Sequence, residues 1–340
     1  MRLRKPTKKE LLRFICYTLC VLCCLAAIIA YYCTSRELLS QQAAERWRGE
    51  SEMRYAQISA FLPQTTTVTE SNIASFHTAL EQSLTDASLD APETGSLWTD
   101  AYAASGEIRL RAEGKAEITA PAIGVGGDFF FFHPYRLRSG SYLTAYDLND
   151  DRIVLDEEMA WRLFGAIDVA GHTVWVANEP YLVAGVIDRE DDRFSLAAYG
   201  DSGAGVFISY SALFALTEQN ITSYEIVMPD PITGFALQVV EEKFPLQGGE
   251  AVENSSRYGV ERIASLLKDF GMRSMGLNGV AYPYWENAAR MSEDYLMLFL
   301  LLAALFALPP LVLVVCRLVR LLRRLRQRIR QRIREKREYV

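Results

Sequence analysis

No cysteine occurs between Cys33 and Cys316. The long central stretch is therefore held together without disulfides, which excludes a small stapled scaffold. Histidine is almost as scarce, with 3 in 340 residues. His77, His133 and His172 stand in no recognisable metal-ligand or triad motif. There is no GxxxxGK[ST] run, so the sequence holds no P-loop for binding a nucleoside triphosphate. No internal repeat is present. Charge is absent from residues 14–33 and again from residues 295–316.

Those two uncharged runs organise the rest. The first is twenty residues long, and at 1.5 Å per residue it reaches ~30 Å, the thickness of a bilayer core. Its length, the missing A-x-A site behind it, and the lack of a lipobox before Cys23, Cys24 or Cys33 favour an uncleaved anchor over a signal peptide. The second run carries Pro309 and Pro310, which remove two backbone donors and predict a kink or local opening. In a membrane protein that moves, that is a hinge; in a plain anchor it is a tolerated irregularity. Cys16, Cys20, Cys23 and Cys24 fall at i, i+4, i+7 and i+8 and share one helix face. With no His or acid beside them, they pack as small apolar residues rather than bind metal.

The net charge of −6 conceals a division. Residues 1–13 hold six Lys/Arg and one acid, and residues 317–340 hold eleven and two. That leaves 19 basic against 39 acidic residues between them. Basic ends and an acidic middle are the positive-inside pattern of two cytoplasmic termini around an outside domain. The tail from Arg317, with Arg320, Arg323 and Arg324 set among Leu318, Leu321, Leu322 and Leu325, reads as a basic amphipathic helix. Two partners fit it: the anionic inner leaflet, or an ATPase or other cytoplasmic protein. Nucleic acid is not expected beside a membrane span. At the other end of the second run, Tyr284 and Trp285 fit an aromatic belt at the membrane interface or a partner contact.

Between the runs, residues 34–62 show apolar spacing that predicts a helical stalk ended by Pro63, and residues 73–87 a second helix. Residues 97–104 and 107–112 read as strands joined at Ser105-Gly106. Residues 118–125 are a strand stopped by Gly126-Gly127, and Asp128 caps a turn of aromatics, Phe129 to Phe132. Arg138-Ser139-Gly140 reads as a turn. After a strand at residues 153–155, Asp156 caps a helix that ends at Gly165. Residues 171–177 and 181–186 form a hairpin around Asn178-Glu179-Pro180. Beyond a polar, acidic loop at 189–205 come a strand at 206–208, a helix at 211–216, a strand at 224–228, a helix at 233–244 and a short strand at 251–254. Residues 258–270 read as an amphipathic helix on Val260, Ile263, Ala264, Leu266 and Leu267.

Three constellations imitate chemistry. Gly200-Asp201-Ser202-Gly203 matches the local nucleophile run of trypsin-like proteases but lacks a positioned histidine, and reads as a polar loop. Asp147, Asn149, Asp151 and Glu158 fall on calcium-loop positions, yet Arg152 occupies the place of the glycine that the sharp bend requires, so a turn and a capped helix account for them. Asp188, Glu190, Asp191 and Asp192 read as a solvated loop rather than a cation site. No catalytic, cofactor or metal residue is expected.

The ordered set Val125-Gly126-Gly127-Asp128-Phe129-Phe130, Leu137 to Gly140, Ile153-Val154-Leu155-Asp156-Glu157, Ala160 to Gly165, Gly171 and Val183-Ala184-Gly185-Val186 resembles the MacB-type periplasmic core domain of ABC transporter permeases, best over residues 100–245. The resemblance implies a structural module outside the membrane and carries over no catalytic residue. A permease of that type has three further spans after this module, where the present sequence holds one. The expectation is thus an α+β extracytoplasmic domain, in one lobe or two, flanked by two transmembrane helices. Its parts are a basic cytoplasmic end (1–13), a first span (14–33), a stalk and helices (34–96), the core domain (97–294), a second span (295–316) and a basic cytoplasmic helix (317–340). The expected function is a non-catalytic two-pass subunit or accessory that meets a separate ABC ATPase, permease subunits or a second copy of itself. A stand-alone surface receptor or adaptor is the alternative.

Overall fold

The computed structural model describes residues 7–89, 95–144, 150–199, 205–275, 279–280 and 282–338. Gly200 to Gly203, and with them the protease-like run, lie outside the described residues, as do Asp147 and Asn149. The chain divides into two units. One holds residues Met1–Ser35 and Asp294–Val340, and the other is Arg36–Glu293.

The first unit contains α1 (Lys8–Thr34), whose N-terminus is closed by a capping box of Thr7 and Glu10. It also holds most of α10 (Tyr284–Glu338). Both helices are long and apolar enough to cross a membrane. Pro309 and Pro310 lie inside α10, which runs on through both.

The second unit is built on strand alternation. Its strands are β1 (Tyr55–Phe61), β2 (Thr99–Ala112), β3 (Ile118–Gly127), β4 (Arg136–Gly140), β5 (Arg152–Asp156), β6 (Thr173–Val176), β7 (Glu179–Asp188), β8 (Val206–Ser209), β9 (Ser223–Pro229) and β10 (Glu250–Glu253). They join in one sheet of order β10-β1-β9-β2-β3-β8-β5-β7-β4, with β6 pairing β2 and β7 at the side. Successive residues point to opposite faces. Ile153, Leu155, Val206, Ile208 and Ile226 enter one core, under α3 (Glu70–Asp86), α5 (Glu157–Phe164), α7 (Tyr210–Thr217) and α8 (Phe235–Lys243). Val154, Phe207 and Val227 enter a second core with Phe129, Phe130 and Phe132 of α4 (Phe129–Phe132), Ala43 and Ala44 of α2 (Ala43–Arg48), and Trp285. A small third cluster joins Leu38, Ala288 and Ala289 to Phe194 and Ala198 of α6 (Arg193–Tyr199).

The structure corrects the sequence reading in several places. Residues 34–62 are not one helix: a 3₁₀ turn at Leu39–Gln41 and α2 are followed by β1, paired on both sides by β9 and β10. The expected break at Ser105-Gly106 is absent, because β2 pairs with β3 without interruption from Ala101 to Leu110. Glycine stands there since a Cβ at 106 would come 3.2 Å from Leu213 of the helix lying over it. Arg138-Ser139-Gly140 belongs to edge strand β4 rather than a turn. Gly140 has φ +75° and approaches the Ala184 carbonyl so closely that a Cβ would overlap it. The β6–β7 hairpin turns on Ala177-Asn178, both at positive φ, one step before the expected Asn178-Glu179-Pro180. In the 258–270 segment only α9 (Val260–Ser265) is α-helical. A 3₁₀ turn at Leu266–Asp269 follows, and Ile263 alone is buried.

Candidate coupling site at the start of the last helix

The first ten residues of α10, Tyr284 to Glu293, belong to the sheet-bearing unit. Trp285 is 3% exposed, its ring 4.5 Å from that of His133 and 5.7 Å from that of Phe129. Tyr284 packs 4.2 Å from the Tyr199 ring and shares a hydrogen bond with the Tyr135 hydroxyl. The sequence fitted these two aromatics to a membrane belt or to a partner contact. The structure places them in the protein interior, where indole and phenol bury large areas.

On the same stretch lies a buried charge cluster. Arg257 is fully buried. Its Nη1 and Nη2 donate to Glu286 Oε2 and Oε1 at 2.6 and 2.8 Å, and its Nε donates to Glu293 Oε1 at 2.7 Å. Longer bonds reach Gln41 Oε1 (3.3 Å) and Asn254 Oδ1 (3.4 Å). Arg290 Nε donates to Glu286 Oε1 at 2.6 Å, and its other arm pairs with Glu250. Arg273 pairs with Glu293, and the Arg290 guanidinium lies 3.8 Å from the Tyr282 ring centre. Three arginines face three glutamates, so the cluster is neutral as a whole. Burial alone would push the Arg257 guanidinium down, but the Glu286 and Glu293 carboxylates hold its proton far more firmly than usual. Burial would likewise raise Glu286, yet Arg257 and Arg290 outweigh it and keep the carboxyl below its ordinary range.

A paired charge in the interior adds little stability over well-packed apolar groups, but breaking it is costly. Such a cluster therefore acts by fixing geometry: it holds Glu286 and Glu293, two turns apart on one face of α10, against the loop that follows β10. Sequence reasoning missed it. The signal was present as Glu286, Arg290 and Glu293 at steps of four and three, a charged stripe immediately before the uncharged run.

Beside this helix start lies a cavity of about 290 Å³ lined by Leu38, Tyr135, Arg136, Asp188, Glu190 and Asp192 among others. The acidic run that read as a solvated loop is mostly engaged. Asp188 pairs with Arg136 and Arg138. Asp192 Oδ1 accepts from the backbone N–H groups of Phe194 and Ser195, both at 2.9 Å. Glu190 accepts from the Tyr199 hydroxyl, and its Oε2 from the Tyr284 hydroxyl at 3.1 Å. Burial raises the Glu190 carboxyl above its ordinary value, more than those hydroxyls lower it. A carboxyl raised by folding loses stability as pH climbs past its unfolded value, about 4.3. Glu190→Gln is therefore expected to raise the thermal midpoint at pH 7, with the advantage shrinking toward pH 4. A midpoint difference that does not change with pH would rule this out. Among the described residues no group of three or more His, Cys, Asp or Glu is arranged to hold a metal ion.

Of the other residues singled out from sequence, Arg317, Arg320, Arg323 and Arg324 are exposed on α10. Asp156 caps α5 as expected, accepting from Met159 N–H at 2.7 Å, from Gly205 N–H at 2.6 Å and from Arg189 Nε at 2.6 Å.

Fold and ends together define a mixed α/β module carried between two apolar helices long enough to cross a membrane. Residues 27–241 match the model of the MacB-like periplasmic core domain, and the chain belongs to that family. It is 33% identical over 89 residues to the macrolide export ATP-binding/permease protein MacB of Chromobacterium violaceum. That match covers 26% of this chain and 13% of the relative, so the chain spans only a small part of that protein's length. Among solved structures it is similar to the periplasmic region of MacB from Actinobacillus actinomycetemcomitans, with 18% identity, 63% of this chain and 95% of that chain covered, and a TM-score of 0.43. It is also similar to the extracellular domain of the noncanonic ABC-type transporter YknZ from Gram-positive bacteria, at 14% identity, 59% and 99% coverage and a TM-score of 0.39.

Proposed function

We propose that this chain is a non-catalytic two-pass membrane subunit or accessory of an ABC transporter-like assembly. Its outside domain meets a substrate or partner, and its last helix connects that domain to the membrane and to a separate ATPase or permease. Membership of a permease-domain family supports the class of assembly. The observation that carries the coupling role is that α10 starts inside the domain core, clamped by Arg257 through Glu286 and Glu293. These bonds hold the first turns of α10 in the core of the domain. Both termini lie in the cytoplasm, as the eleven Lys/Arg of residues 317–340 favour. Arg317, Arg320, Arg323 and Arg324 then face inner-leaflet lipid, each contributing about 1 kcal/mol near an anionic surface. Pro309 and Pro310 supply the point at which the spanning helix can flex.

Affinity purification of the intact chain from membranes in mild detergent, followed by mass spectrometry, tests the proposal. An ABC ATPase or a full permease is expected to come along. Repeated purifications that recover neither would leave a stand-alone receptor or adaptor instead. Protease treatment of whole cells is expected to cut the central domain while leaving a C-terminal tag intact.

A further inference from the structure

The segment between the buried arginine and the last helix carries more bare apolar surface than a soluble loop tolerates. Val260, Leu267, Phe270, Met272 and Met275 are 48–65% exposed within sixteen residues. Ile263 is the residue of α9 that faces inward. Charged Glu261, Lys268, Asp269 and Arg273 are interleaved with them. Exposed apolar groups set this close along the chain mark a surface that something covers.

Two bonds fix where the segment lies along α10. Arg273 pairs with Glu293, and the backbone N–H of Met275 donates to Asn287 Oδ1 at 3.0 Å. Glu293 stands two positions before Tyr295, where the uncharged run begins, which is about 3 Å of helix. Asn287 stands eight positions before it, about 12 Å. The polar layer of a bilayer is roughly 5–8 Å deep on each side of its hydrocarbon core. Arg273, flanked by Met272 and close to Phe270, is thus tied to the stretch of helix that enters the headgroup region.

We infer that the Val260-to-Met275 segment is a membrane-interface element whose exposed Phe270, Met272 and neighbouring apolar side chains insert at the headgroup–acyl boundary of the outer face. The inference rests on α10 crossing the membrane, as proposed above. Short apolar insertions of this sort reach about 5–10 Å into the interface. Lys268 extends its stem along the apolar surface and keeps its charge at headgroup level, while Arg273 stays paired with Glu293. The element then holds the loop carrying Arg273, and through it Glu293, at a defined depth.

The test uses the full chain in lipid nanodiscs. All six native cysteines are replaced by alanine, and one cysteine is introduced per variant, Phe270→Cys, Met272→Cys or Ile232→Cys, each labelled with bimane. Ile232 is 76% exposed and serves as the control on another loop. Replacing phosphatidylcholine with its brominated-chain form is expected to quench the probes at 270 and 272 roughly two-fold, consistent with insertion at acyl depth, and to leave the probe at 232 unchanged. Equal quenching at all three positions, or none at 270 and 272, overturns the inference. Blue-shifted emission at 270 and 272 without quenching by brominated lipid assigns the face to a protein surface and overturns it as well. The topology beneath it is checked apart from this, by the protection of a C-terminal tag in whole cells. A protected tag with unquenched probes refutes the interface element alone.

Discussion

Arg257→Met is expected to lower the thermal midpoint of the intact protein in detergent by about 10 °C. The substitution leaves the buried Glu286 with one remaining arginine and removes the Glu293 partner that lies at 2.7 Å. Stranding a partner of a buried ion pair costs ~3–5 kcal/mol. Spread over a unit of about 250 residues, each kcal/mol moves the midpoint by roughly 2–4 °C. Methionine fills much of the arginine's volume, so the loss reports charge rather than a cavity. Replacing Glu286 by methionine as well is expected to restore much of the stability, because Arg290 keeps Glu250 and Arg273 keeps Glu293, so the cluster is neutral again. The restored variant separates the two roles of the cluster. If the charges exist to fix the seating of α10, the double variant folds but no longer recovers the ATPase or permease partner proposed above.

Acid carries the same signature. Glu286 titrates lower in the folded protein than in the unfolded chain, since Arg257 and Arg290 outweigh the effect of burial. A depressed carboxyl contributes stability that is present above its unfolded value, about 4.3, and lost as pH falls through the folded one. The wild type therefore loses this part of its stability in acid, whereas the double methionine variant, which lacks Glu286, has none of it to lose. A midpoint for Arg257→Met within a degree or two of wild type would show the cluster to be ornamental.

How much of this was legible in the sequence depended on how local the cause was. The α5 helix was readable because its start and stop are written in adjacent residues: Asp156 caps the first turn and Gly165 closes the last in the left-handed region. The two long apolar helices were readable because absence of charge over twenty residues needs no tertiary context. Strand β1 was not, for a physical reason. Its Ala56, Ile58 and Ala60 enter one core, but the alternate residues Gln57 and Ser59 are polar and equally buried, bonded to Ser40, Ala43, Glu225 and Asn254. A strand buried on both faces by polar partners shows neither simple alternation nor a continuous apolar run, and its spacing passes for helical.

The coupling site was hidden for the same reason. Arg257 lies in a loop with no periodicity, and its partners stand 29 and 36 positions away. Tyr284 and Trp285 border a span, where a membrane belt and a core anchor look alike; only the rings of Tyr199, His133 and Phe129 decide for the core. Residues 258–270 failed in the opposite sense. Their apolar spacing predicted a buried helical face, and the structure leaves most of that face uncovered. Periodicity says which residues share a face, not what lies against it.

His133→Leu is the other substitution expected to have a large effect, with a midpoint roughly 6–12 °C lower for a cost of about 3 kcal/mol. His133 is fully buried, with Nε2 2.5 Å from Glu225 Oε2. The other oxygen of Glu225 accepts from Ser59 Oγ at 2.9 Å and from Gln57 Nε2 at 3.5 Å. Leucine deletes the partner of Oε2 and leaves a carboxylate oxygen unmatched in the sheet interior, which is costlier than never having placed it there. The imidazole also packs, tilted, between the rings of Trp285 and Phe129, each 4.5 Å away, so it joins β9 to the first turn of α10. His133→Phe separates these contributions. It keeps an aromatic ring against Trp285 while removing the bond to Glu225, so the Trp285 emission, read as the difference from a Trp285→Phe background, is expected to stay blue while the midpoint still falls. In the leucine variant both the midpoint and the emission shift. A double replacement of His133 and Glu225 by leucine is expected to be less damaging than the sum of the single changes, with a coupling of 0.5–3 kcal/mol, about the range for residues in direct contact. Strict additivity, or a phenylalanine variant as stable as wild type, would mean that the histidine serves the core by shape alone and that its polar link to β9 carries no load.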